Sequence, residues 1–430
     1  MQTLLAFAAV LLVVVVVHEF GHFGVARLFK VKVSEFGIGY PPRLFSFTRG
    51  ETIYSINLLP LGGFVSFSSE EDPDVPDSLA SHSPWVRLAV MAAGPLMNAV
   101  LPIILLTIVF MVPTNVPVTD VIITDTAPGS PAEQAGLLSG DIVEEVDGRT
   151  INNSADLRTA IQLRLGASSE WVVDRGGEVY TTSLVPRTNP PEDQGAAGIT
   201  FADARVTITR VAPGSTAQAA GLQAGDLLLW VHNQLILDAD DIAVAIAAAH
   251  AEQADGAVSL GVLRNGEIQE YALAASAAEL SGLELVVEPE VSRSEPIWEA
   301  VPSSLTQMGE ILIIAKNEIS RMITGSAPVG VAGPIGIAQL TGEVARSGLV
   351  PLIFWTALIS MNLAIVNLLP IPALDGGRIT FVLLELLRGG RRITPEKERL
   401  VHLMGFVLVI GLVVVVSVND ITRIVTGGGF

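Results

Sequence analysis

The sequence predicts a multi-pass α-helical membrane protein: a bundle of four transmembrane helices with a folded, acidic section between the second and third. Half of the 430 residues are hydrophobic, and the mean hydropathy is +0.53. Four stretches, approximately 4–27, 86–112, 351–372 and 400–418, are apolar enough to cross a hydrocarbon core, which takes roughly 20 residues. The charge lies elsewhere: residues 113–350 hold 31 Asp and Glu against 12 Lys and Arg, in a chain of net charge -19.

The first stretch opens with fourteen uninterrupted apolar residues, Leu4 to Val17. It has no basic segment before it and no small-residue cleavage site after it, so it reads as a retained span and not as a signal peptide. It runs straight into His18-Glu19-Phe20-Gly21-His22. Residues four apart share a helix face, so both imidazoles can reach one metal ion while Glu19 stands close enough to act on a water. The motif occurs by chance in many soluble chains. Inside a span, however, each ionisable group costs about 2.5 kcal/mol or more, and packing alone does not justify three in five positions. A catalytic zinc takes three protein ligands and leaves one position to water, so a third ligand must come from elsewhere. The chain has no cysteine, which excludes disulfides and thiolate ligands and leaves His or carboxylate.

Between the first two spans, Glu51 to Phe67 is rich in Thr, Ile, Tyr, Phe and Val, punctuated by Gly62-Gly63, and reads as strands joined by turns. Such a hairpin either packs on the bundle or binds an unwound substrate by strand addition. An acidic stretch, Glu70 to Asp77, follows it. In the second span, Gly94-Pro95 and Asn98 read as a kink that packs the bundle beside the site.

Orientation follows from the positive charges. Lys30, Lys32, Arg43 and Arg49 lie between spans one and two, and Arg378, Arg388, Arg391, Arg392, Lys397 and Arg399 between spans three and four. Both loops are therefore expected in the cytoplasm, with the acidic section and both termini outside it. His18 lies fourteen residues past Leu4, about 21 Å along a helix, which sets the motif toward the cytoplasmic side.

The external section contains a repeat. Thr124 to Gly148 aligns without gaps to Thr209 to Asn233, an offset of 85 residues with 12 identities in 25 positions, sharing Ala-Pro-Gly-Ser, Ala-Gly-Leu and Gly-Asp. These elements, each followed by a short apolar strand, resemble bacterial PDZ domains. Two are assigned in tandem, at 117–187 and 198–276, with 187–195 as linker. PDZ domains bind extended peptides along a strand edge, and the pair could equally exclude bulky substrates. Beyond them, Glu295 to Thr324 has helical spacing at Trp298, Val301, Leu305, Met308, Ile311, Leu312 and Ala315, expected as an amphipathic helical segment on the outer surface within 295–348. Gly330 to Gly336 then leads back to the membrane.

The remaining histidines are His82, His232, His250 and His402. Two fall in the external section, His82 follows the acidic stretch, and His402 opens span four. Asp375 is better placed, at the end of Asn367-Leu-Leu-Pro-Ile-Pro-Ala-Leu-Asp375-Gly-Gly377, where span three reaches the depth of His18 and His22. Taken alone, Asp375 reads as a helix N-cap. Pro370 and Pro372 nevertheless break a helix at membrane depth, which is tolerated where the freed backbone lines a polar cavity.

With these residues, the chain is identified as resembling the site-2 proteases, intramembrane zinc metalloproteases, in the bacterial branch typified by the regulator of sigma-E protease. The match rests on His18-Glu-Phe-Gly-His22 with Phe23 to Arg27, on Gly94-Pro95 and Asn98, and on Asn367 through Gly377, and with the external domains it extends over nearly the whole chain. The resemblance implies Zn2+ held by His18, His22 and Asp375, with Glu19 as the base. Asn367 is implied as an active-site residue holding substrate or the developing oxyanion, where a helix-to-helix hydrogen bond is the alternative. It also implies a membrane-associated hairpin that binds substrate, here through Ile56, Asn57, Leu58, Gly62, Gly63 and Phe64. The expected organisation is thus 1–112 with spans one and two and the hairpin, the two PDZ domains, the segment 295–348, and 349–430 with spans three and four. The expected activity is cleavage of single-span proteins, an anti-sigma factor or leftover signal peptides, in a bacterial inner membrane, with the PDZ tandem filtering substrates. The lipid bilayer is a partner and nucleic acid is not. A membrane-anchored PDZ scaffold without proteolysis is the alternative. A transporter would need repeated spans, and the repeat lies in the soluble section.

Overall fold

The computed structural model describes residues 2–67, 78–191, 194–232, 234–237, 239–252, 258–273, 283–287, 290–326 and 332–426. The acidic stretch Glu70 to Asp77, Glu192 and Asp193 of the linker, and Gly330 and Val331 lie outside them. The chain forms two compact units, one of residues 1–112, 294–308 and 330–430, the other of 113–293 and 309–329.

The first unit contains α1 (Gln2–Leu28), β1 (Val33–Arg49), β2 (Thr52–Phe67) and α2 (Pro84–Met111), then the start of α3 (Ile297–Ile323), followed by α4 (Pro334–Ser347), α5 (Leu349–Leu368), α6 (Asp375–Leu387) and α7 (Pro395–Val425). Among the described residues, α1, α2, α5 and α7 are long and apolar enough to cross a membrane. The α2 helix packs between α1 and α5. It can approach α1 closely because a Cβ on Gly21 would sit 2.4 Å from the Ala93 carbonyl oxygen.

Three boundaries differ from expectation. The α5 helix stops at Leu368 and not near residue 372, because Pro370 forces Leu369 into extended backbone (ψ 147°). The α7 helix starts at Pro395, where a missing N–H costs nothing, and continues to Val425. The α4 helix was not foreseen, since its N-cap is Gly333 and its cap is not local: buried Asp420 of α7 accepts the N–H groups of Gly333 (3.1 Å) and Gly336 (2.8 Å).

The hairpin also differs. Glu51 to Phe67 is not itself a hairpin: Thr52–Phe67 is one strand, bent at Gly62 (φ +132°), and its partner is the upstream strand β1. Residues 35–38 of β1 pair with 63–66 and also with 53–56, while 43–49 pair with 52–57. Gly63 to Phe67 therefore pairs along one edge only, among the described residues. Tyr40, Leu44, Phe45, Phe47, Leu58 and Leu59 leave the sheet's far end apolar and exposed.

The second unit holds two six-stranded antiparallel sheets of one topology. The first runs Glu178–Leu184, Ser169–Arg175, Ile142–Val146, Asp120–Thr126, Ile199–Ala204, with Arg149–Thr150 paired to Ile142–Val146 off that path. The second runs Glu267–Leu273, Val258–Arg264, Leu227–Val231, Val206–Val211, Leu283–Val287, with Gln234–Leu235 paired to Leu227–Val231. The shared motifs do the same work in each. Ser130 and Ser215 cap a one-turn helix, and the buried Asp141 and Asp226 accept the N–H of Leu138 and Gln223. Arg175 clamps Asp141 and donates to the Gly136 carbonyl, as Arg264 does with Asp226 and Gly221. Asp141, accepting those bonds, pushes the Arg175 guanidinium further above its ordinary value, and Asp226 does the same to Arg264. Each sheet closes its own apolar core, around Trp171 in one and Leu260 in the other, and Ile122, Ala204, Leu229 and Leu263 form a smaller shared cluster.

Candidate metal centre

His18 and His22 lie one turn apart on α1, both buried, with ring centroids 4.8 Å apart. Their Nε2 atoms are 3.1 Å from each other, and Asp375 Oδ2 lies 3.0 Å from that of His18 and 3.4 Å from that of His22. Tetrahedral zinc with bonds of about 2.0–2.1 Å sets its ligands about 3.3 Å apart, so the three donors have the right spacing before any ion enters. Space is provided too. A Cβ on Gly94 of α2 would meet His22 Nε2 at 2.3 Å and His18 Nε2 at 2.8 Å, so glycine leaves open the side toward which both nitrogens point.

His22 and Asp375 are held from behind. His22 Nδ1 lies 2.7 Å from the Val90 carbonyl, to which an Nδ1–H donates, leaving the Nε2 lone pair for a metal. Asp375 is the first residue of α6, and its N-cap is Leu374, so it does not act as the cap itself. It is aimed by the loop before it. That loop folds back so tightly that a Cβ on Gly376 would lie 2.0 Å from the Leu369 carbonyl oxygen, and one on Gly377 2.5 Å from that of Ile371. The α7 helix holds the same loop: His402 Nδ1 accepts the N–H of Ala373 (3.0 Å), a residue at φ +80°, and Gly405 lets Pro372 pack against the helix.

A cavity of about 270 Å³ opens beside the donors, lined by His18, Glu19, His22, Asp375, Gly63 and Phe64, among others. The Glu19 carboxylate accepts the N–H of Val65, on the strand segment with a free edge. Of the other hairpin positions, Gly62 provides the bend, Asn57 is buried and donates to the Gly39 carbonyl (3.0 Å), and Ile56 and Leu58 are about half exposed. Asn367 is buried in the last turn of α5 and does not line this cavity. His82 bonds back to the Ser78 carbonyl, and His402 holds the loop. Sequence reasoning passed over Val90, whose role is a backbone carbonyl, and over the grip of His402 and Gly405, which depends on how α7 packs. It carried Gly94 only as a neighbour.

Three protein donors suit a catalytic ion better than a structural one, which closes its shell with four. A further carboxylate beside them, Glu19, in a cavity among apolar helices, defines the class as a membrane zinc metalloprotease. Comparison with known proteins resolves the class further. Peptidase family M50 matches residues 6–412. Protease RseP of Yersinia pestis is 31% identical over 455 residues, covering 98% of this chain and 99% of its own. A protein of Vibrio cholerae, provisionally named a zinc metalloprotease, is 28% identical over 452 residues, covering 98% of each chain. The chain belongs to peptidase family M50, the site-2 proteases. Its cofactor is accordingly zinc, which the donor spacing and the opening at Gly94 fit.

Proposed function

We propose that the protein is an intramembrane endopeptidase that cuts single-span membrane proteins within or near the cytoplasmic half of the span. One observation carries the reading: His18, His22, Asp375 and Glu19 share a cavity with Gly63 and Phe64, on a strand whose outer edge is unpaired. Bound zinc supplies Lewis acidity, polarising the scissile carbonyl and lowering the pKa of water to about 7. His18, His22 and Asp375 hold the ion. Glu19 takes the proton of the attacking water and passes it to the departing amide nitrogen. A helical substrate has to unwind first, and the free edge of Gly63 to Phe67 offers backbone partners in place of the lost helical ones. The exposed apolar end of the sheet suits contact with lipid, and Ile56 and Leu58 there with an apolar substrate. Asn367 serves substrate or the developing oxyanion once substrate enters.

The basic loops set the hairpin and the catalytic residues toward the cytoplasm, with the termini and the acidic section outside a bacterial inner membrane. The paired sheets span 120–204 and 206–287 in place of the expected 117–187 and 198–276, because Ile199–Ala204 pairs back onto the first sheet and Leu283–Val287 onto the second. They are read as tandem PDZ domains that admit substrates already shortened, among them an anti-sigma factor or signal-peptide remnants. The decisive test compares the parent chain with Glu19→Gln on a single-span substrate while zinc is measured. The expected result is one zinc per chain in both, with cleavage falling by about 10²–10⁴ in the variant. Equal cleavage, or zinc in neither, refutes the proposal.

A further inference from the structure

The two imidazoles of the metal centre are backed differently. His22 Nδ1 faces a backbone carbonyl, that of Val90, which no side-chain substitution removes. His18 Nδ1 faces a side chain, the amide of Asn98, at 3.3 Å. Val90, Gly94 and Asn98 are spaced by four, so one stripe of α2 provides the carbonyl behind His22, the opening in front of both rings, and the amide behind His18.

That amide is buried and firmly placed. Asn98 is 0% exposed, and its backbone carbonyl accepts the Ser360 hydroxyl of α5 at 2.9 Å. Its Oδ1 is buried with no hydrogen-bond partner among the described residues, while its Nδ2 is the end next to His18. A buried acceptor left unpaired costs about 1–3 kcal/mol, so an asparagine at this place calls for an explanation. The chemistry of ligation gives one. An imidazole that binds a metal through Nε2 carries its proton on Nδ1, and that N–H needs an acceptor. Turning the Asn98 amide over exchanges two ends of nearly equal shape and brings Oδ1 to His18 Nδ1.

We propose that Asn98 is the positioning residue of the metal centre: its Oδ1 accepts Nδ1–H of His18, fixing the tautomer and the ring plane in which Nε2 ligates. The proposal rests on the reading of His18, His22 and Asp375 as the ligand set. Leucine at position 98 keeps the volume and removes the acceptor. Aspartate keeps an acceptor at the same reach and has no donor to offer.

The test measures zinc affinity of the full chain in detergent, by competition with a chromophoric chelator, for the parent, Asn98→Leu, Asn98→Ala and Asn98→Asp. Loss of an outer-shell partner typically costs 10–100-fold in metal affinity. The leucine and alanine variants are expected to fall by about that much, and the aspartate variant to stay within a few-fold of the parent. The alanine variant cannot overpack, and it decides the matter if the leucine variant does not purify. Parental affinity in the leucine or alanine variant, or an equal fall with aspartate, overturns the proposal. A parent chain without one tightly held zinc, or a His18→Ala variant that binds like the parent, refutes the ligand reading instead.

Discussion

A single hydrogen atom at Gly94 keeps the metal centre open. Alanine is better than glycine in a helix interior by about 0.8–1.0 kcal/mol, so on propensity alone Gly94→Ala should stabilise α2. Its Cβ would meet the Nε2 atoms of His22 and His18 at 2.3 and 2.8 Å, too close for both rings to keep their places. The expected outcome is a chain that folds and inserts, holds less than about a tenth of the parent's zinc, and has no measurable proteolysis. Metal analysis of the purified variant checks it. This residue also marks the limit of what the sequence discloses. His18, Glu19 and His22 are legible because their relation is local, one turn of one helix. Asp375 needed the further argument that only a carboxylate at matching depth was left. The role of Gly94 depends on how closely α2 approaches α1, and a linear sequence does not record that distance. Asn367 lies in the expected segment yet is buried off the cavity, so its proposed role awaits substrate.

At the scale of elements, the centre depends on α6, whose first residue is Asp375 and whose middle is tied to α2. Glu385 of α6 is buried, and its carboxylate accepts from Arg87 of α2 at 2.5 Å and from Arg392 at 3.3 Å. Arg392 also donates to the Ala80 carbonyl at 2.7 Å, so the segment before α2 joins the same network. Removing one partner of a buried pair leaves the other charge uncompensated and costs about 3–5 kcal/mol. Arg87→Ala, which leaves Glu385 with Arg392 alone, should therefore lower the thermal midpoint in detergent, and Glu385→Gln, which leaves the buried Arg87 and Arg392 without their counter-charge, should lower it at least as far. At the far end, Asp420→Ala takes away the side chain that caps α4, for an expected loss of about 0.5–2 kcal/mol by the same measurement. Neither tie has a sequence signature. The spans themselves were legible from apolar length, whereas α4 was not, because its cap comes from 84 residues further along, and the partner of β2 was not, because the pairing crosses Gly50 to a strand read as loop.

For the whole molecule, the open question is which side of the membrane each part occupies, since substrate filtering has meaning only if the paired sheets and the metal centre face different compartments. Outside 113–350, Arg423 apart, every Lys and Arg lies in or next to the two segments that join α1 to α2 and α5 to α7, while the repeat section carries the acidic excess. The rule that retains basic loops in the cytoplasm would then set the hairpin inside and the sheets outside. The chain itself provides a clean assay, because it has no cysteine to remove. Thr48 on the hairpin and Thr181 on the first sheet are both exposed, so a cysteine at either is open to a membrane-impermeant maleimide wherever the reagent can reach it. In right-side-out vesicles, Thr181→Cys should label at once, and Thr48→Cys only after the membrane is opened. The reverse pattern would invert the topology, place the sheets beside cytoplasmic partners, and remove the basis for a filter acting on external domains. Labelling of both in sealed vesicles would mean that the hairpin side is not enclosed. The expected pattern would leave one route to the zinc: a substrate that spans the membrane, with little folded mass outside, unwinding beside Gly63 to Phe67.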